Sequence, residues 1–89
     1  MRKLIMIVAL LATAVNANAY KCNYYTKTLN KNLELTNNHI EMGDRHMAKT
    51  YAKFVVKNGA EVKAQCNLNK SERSQVNKII RNAINLVKG

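Results

Sequence analysis

Residues 43–59, GDRHMAKTYAKFVVKNG, hold the pattern that decides the fold. Met47, Ala48, Tyr51, Phe54 and Val55 recur at the three- and four-residue steps that gather side chains on one helical face. Arg45, Lys49, Lys53 and Lys57 recur every four residues on the other side. Gly43 is a stop for whatever precedes, and Asp44 suits an N-cap, because its carboxylate can accept backbone N–H bonds. Asn58-Gly59 reads as a C-cap, since both residues tolerate left-handed backbone angles. The stretch predicts a helix over 45–57, with residues 60–66 adding one more turn leading into Cys66.

Toward the N-terminus, the spacing predicts a helix over about Tyr24 to Met42. Tyr25, Leu29, Leu33, Thr36 and Ile40 fall within about 80° of one another. Leu35 and Met42 lie off that stripe and await a second helix or a partner. Asn30, Asn32, Asn37 and Asn38 lower intrinsic helicity, so packing has to supply the order. Toward the C-terminus, Asn69 and Glu72 have the spacing of a capping box. Val76, Ile79, Ile80, Ala83, Ile84, Leu86 and Val87 then form a stripe about 160° wide. So broad a stripe suits a helix between two neighbours, which would put the third helix at the centre of the core. Proline is absent and glycine occurs only at 43, 59 and 89. An all-α, three-helix domain is the expected architecture.

Residues 1–19 have the plan of a cleavable secretory signal. Arg2 and Lys3 form a positive start, Leu4 to Val15 an apolar run, and Ala17-Asn18-Ala19 a cleavage site. A spanning helix needs about 20 apolar residues, and Asn16 and Asn18 end this run short of that. The expected mature chain is residues 20–89, delivered to the periplasm or secreted. Lys21 before Cys22 argues against lipidation there. In an exported domain of this size, Cys22 and Cys66 read as a structural disulfide joining the first helix to the approach of the third. A redox pair would usually sit two residues apart, and two lone cysteines make a poor zinc site.

Loss of Arg2 and Lys3 leaves 13 of the 15 basic residues against 5 acidic ones, a net of +8. That balance attracts acidic protein surfaces or anionic lipid. Nucleic acid ranks third, since export removes the usual targets. The chain also carries 11 Lys and 13 Asn, a bias that A-rich codons alone would produce. The ladder Arg45, Lys49, Lys53, Lys57 is the best candidate contact, with Val56 exposed among its cations; a merely solvated face is the alternative. Tyr20 and Tyr24 are candidate interface anchors, because tyrosine brings large area at little rotamer cost. Tyr25 belongs to the core stripe.

No metal or cofactor site is expected. His39 and His46 are seven apart across a helix break, and zinc histidines on one helix are typically four apart; with Glu41 and Asp44 they read as surface polar residues. Five scattered acids give no acid–base pair, and Ser, His and Asp form no triad, so an enzyme is not expected. Asn69-Lys70-Ser71 matches a glycosylation sequon by chance.

In layout the chain resembles the small periplasmic Spackle proteins of tailed phages. The Tyr20-Lys21-Cys22 start and the Cys66-Asn67-Leu68-Asn69 entry to the last helix sit where that layout has its cysteines. The resemblance implies superinfection exclusion by binding an incoming phage's tail lysozyme. Taken together, the expectation is a small basic helical binding protein of the cell envelope that meets an acidic protein surface, with inhibition of an envelope-acting protein as the consequence. A cationic peptide acting on anionic lipid or lipopolysaccharide is the alternative.

Overall fold

The computed structural model describes residues 19–89, so the expected signal segment, residues 1–19, lies outside the described residues except for Ala19. Three helices follow one another: α1 (Ala19–Glu41), α2 (Arg45–Gln65) and α3 (Lys70–Lys88). None of them is long and apolar enough to cross a membrane. The disulfide Cys22–Cys66 ties the first turn of α1 to the end of α2, with the two Cα atoms 4.9 Å apart.

The helix boundaries follow from local chemistry. Gly43 takes φ +79° just after α1, the left-handed angle that only glycine adopts at no steric cost. There the Gly43 N–H donates to the Ile40 carbonyl (3.1 Å) and the Asp44 N–H to the His39 carbonyl (2.8 Å). This is a Schellman motif, and it satisfies two carbonyls that the helix end would leave bare. Asp44 then starts α2, its Oδ1 accepting from the Met47 N–H at 3.1 Å. Asn69 and Glu72 close the predicted box on α3. The Glu72 N–H donates to Asn69 Oδ1 (2.8 Å) and the Asn69 N–H to Glu72 Oε1 (3.0 Å).

Two expectations are corrected. α2 does not end at Asn58-Gly59 but continues to Gln65. Both residues of the apparent cap have tertiary partners: the Asn32 Nδ2 donates to Asn58 Oδ1 at 2.6 Å, and Gly59 is buried inside the helix. A Cβ built on Gly59 would stand 2.6 Å from Ile80 Cγ1, so the glycine makes room for α3 rather than for a turn. The central helix is α2, not α3. It packs against both neighbours, while α1 and α3 barely meet. Its buried positions are Ala48, Ala52, Val55, Gly59 and Val62. Small residues let two helices approach closely, and those neighbours supply the bulk: Leu29, Leu33 and Ile40 from α1, Val76 and Ile79 from α3.

Gly59 yields a prediction. Alanine there should gain up to about 1 kcal/mol in helix propensity but lose about 1–3 kcal/mol by overpacking against Ile80. The two terms oppose each other, so the net effect of Gly59→Ala alone does not isolate the contact with Ile80. In a double-mutant cycle, Ile80→Ala removes the obstructing atoms. Gly59→Ala should therefore be stabilising in the Ile80→Ala background by about 1 kcal/mol or more relative to its effect in the wild type. Additive chemical denaturation energies would mean the two residues do not touch.

Candidate binding surface on the second helix

The ladder does not stay on one face. Each four-residue step advances about 40° beyond a full turn, so its four cations wind through about 120°. Arg45 begins beside α3: a Cβ on Gly89 would lie 3.6 Å from one of its Nη atoms. A cation at that end of α3 complements the partial negative charge of the last carbonyls. Lys49 is half-buried, while Lys53 and Lys57 stand in solvent on the outer side of α2. Val56, expected to be open among these cations, is instead half-buried and packs on the core. The reason is α3, whose approach covers the flank of α2 on which Val56 lies.

Phe54 moves the other way. Expected in the core, it is 48% exposed. It sits next to Lys53 and one turn before Lys57, its ring 6.4 Å from that of Tyr51. Tyr51 in turn stacks on His39 at 5.4 Å with the planes 15° apart. Ile84, also placed in the core stripe, is 38% exposed. Both departures share a cause: the buried arc of a helix is centred between its actual neighbours, which the pattern along one strand of sequence does not specify.

Tyr20 and Tyr24 are 84% and 58% exposed, and Tyr24 makes an edge contact with Tyr25 at 5.1 Å. They lie at the disulfide end of α1, opposite the C-terminal turns of α2, whereas Arg45 and Lys49 lie at the other end of that helix. The structure therefore brings Lys53, Phe54 and Lys57 together, and leaves the tyrosines as a separate exposed pair. His39 Nδ1 stands 3.6 Å from Asp44 Oδ2. Beyond this pair, the described residues hold no group of three His, Cys, Asp or Glu side chains placed to bind a metal ion.

Sequence reasoning missed Lys63. Its amine donates to Asn77 Oδ1 of α3 at 2.7 Å. The signal was present, since Lys49, Val56 and Lys63 are spaced seven apart and share one face of an unbroken helix, but stopping α2 at Gly59 hid it. In comparison with known proteins, the chain matches no protein-family model, no curated protein and no solved structure.

Proposed function

We propose that residues 20–89 act as a non-enzymatic binding protein of the cell envelope that captures a protein partner with an acidic surface. The observation that supports this most is Phe54, held nearly half in solvent on the flank of α2 beside Lys53 and Lys57. The helix that carries it is fixed from both sides by α1 and α3. An aromatic anchor bordered by cations on rigid backbone keeps the entropic cost of binding low, and the charges steer and orient the encounter. The disulfide suits the oxidising compartment that the signal-like N-terminus implies. The likeness in layout to Spackle proteins makes an envelope-acting lysozyme the first partner to try, with inhibition by occlusion as the consequence.

Reversing Lys53 and Lys57 to Glu tests the reading. Capture from an envelope extract should fall about tenfold or more, as two attractive charges become repulsive. The loss should shrink as added salt shortens the reach of the charges. Thermal stability should hardly change, because exposed charges contribute little to it. The control reverses Lys27 and Lys31, both exposed on α1, for the same change in net charge. Equal losses from both pairs would mean that only bulk charge matters. No loss from either would sink the ladder as a site and leave the basic composition to codon bias. A large gain of helix on anionic vesicles would favour the lipid-active alternative over a prefolded binder.

A further inference from the structure

α2 and α3 run antiparallel, and three points fix their register. Lys63 bonds Asn77, Gly59 faces Ile80, and Arg45 reaches Gly89. Seven residues along from the Lys63–Asn77 level, both helices have made two turns, and Val56 comes opposite Ile84. Val56 is half-buried against the core and Ile84 is 38% exposed, so the floor of the seam here is aliphatic and open to solvent. Seven residues further, α2 presents Lys49.

The seam thus has an apolar middle with cations on both rims. Lys49 and Lys63 stand on the α2 side about 20 Å apart, from the helical rise. Arg81 and Lys88, level with Gly59 and Ala52 in that register, stand exposed on the α3 side. No carboxylate interrupts them. Glu34, Glu41 and Asp44 belong to α1 and its turn. Glu61, two residues from Lys63, points about 160° away from it, and Glu72 is occupied in its capping box.

We propose that this seam is a docking groove for an acidic amphipathic helix of a protein partner. It goes beyond that reading, since this surface is distinct from the one around Phe54, and it names the form of its own ligand. Two parallel cationic rims match glutamates on both flanks of a helix, and the aliphatic floor matches its apolar stripe. The length between Lys49 and Lys63 takes about four turns. A lipid surface fits less well, because Val56 packs on the core between the rims instead of projecting beyond them. A nucleic-acid backbone would leave the aliphatic floor without a partner.

The probe is a designed peptide of about fifteen residues, with leucines at helical spacing and glutamates on both flanks. A second peptide of the same composition is scrambled to destroy the stripe. Binding to the oxidised mature chain is followed by fluorescence anisotropy at low salt. The striped peptide should bind saturably, about tenfold tighter than the scrambled one. Ile84→Asn should cost about tenfold without changing net charge, and Lys63→Gln with Arg81→Gln a similar factor. Lys53→Gln with Lys57→Gln should cost the peptide little. Equal binding of the two peptides, no binding of either, or indifference to Ile84→Asn overturns the groove. So does tighter, Ile84-dependent binding to phosphatidylglycerol vesicles or duplex DNA. Extract capture that depends on Lys53 and Lys57 but ignores Ile84→Asn would remove the groove and leave the binding-protein reading standing. Peptide binding with no extract capture would do the reverse.

Discussion

Val62→Asp is expected to abolish cooperative unfolding, whereas Ala60→Asp, two residues away on the same helix, should lower the melting temperature by no more than a few degrees. Val62 is fully buried on the central helix, between α1 and α3. Replacing it removes about 1.5–3 kcal/mol of apolar burial and leaves a carboxylate without a partner, at several kcal/mol more. A domain of this size has about 4–10 kcal/mol of stability in all. The sum of the two costs is close to the whole. Ala60 is exposed, so aspartate there loses only helix propensity, about 0.7 kcal/mol. Loss of near-ultraviolet circular dichroism in the first variant and its retention in the second is the expected pair of results. Similar melting of both would mean that α2 has no helical phase beyond Gly59, and the extension to Gln65 would fall with it.

That pair of positions lies in the part of the fold the sequence hid. Features governed by a few neighbouring atoms were legible: the Gly43 stop, the Asp44 cap, the Asn69–Glu72 box and the pairing of Cys22 with Cys66. Each depends on groups within a few residues or, for the cysteines, on there being only one possible pair. Asn58-Gly59 has the same local signature as a helix end, yet Gly59 has no left-handed angle. Its smallness serves the approach of Ile80, and the Asn58 amide oxygen serves Asn32. A residue type chosen for a tertiary contact looks the same, in sequence, as one chosen for a turn.

The surface was legible in proportion. Lys53 and Lys57 lie about opposite the helix neighbours whatever the exact phase, so their exposure was readable from the four-residue rhythm. Phe54 and Val56 lie at the two borders of the buried arc of α2. There a shift of a few tens of degrees decides between core and solvent, and that shift is set by where α1 and α3 sit. With one neighbour assumed, Phe54 is inside and Val56 outside; with two, each changes side. The same reasoning explains Ile84, at the border of a stripe whose helix has one main neighbour instead of the expected two.

Removal of the disulfide should have the second large effect. Cys22→Ala with Cys66→Ala frees two points of the chain, 44 residues apart, that were tied together. In the chain-entropy account the unfolded state gains about 4 kcal/mol of freedom, which at about 4–8 °C per kcal/mol moves the melting temperature down by about 16–32 °C. Packing loss should add little, since alanine keeps the Cβ and the vacated volume is small. Thr26, buried within 3.7 Å of Cys66 Sγ and 4.0 Å of Cys22 Sγ, would lose both sulfur neighbours. Native protein should resist dithiothreitol, because Cys22 and Cys66 are both buried and thiolate attack requires access to a sulfur. Reduction should accelerate sharply once mild denaturant opens the end of the bundle where α1 starts. The measurement is thermal unfolding of the double alanine variant beside wild type, with thiol titration of wild type over a denaturant series. A shift below about 5 °C would show that helix packing alone holds the domain. The staple would then contribute nothing to the rigidity on which the proposed binding face depends, and reduced protein should bind as well as oxidised.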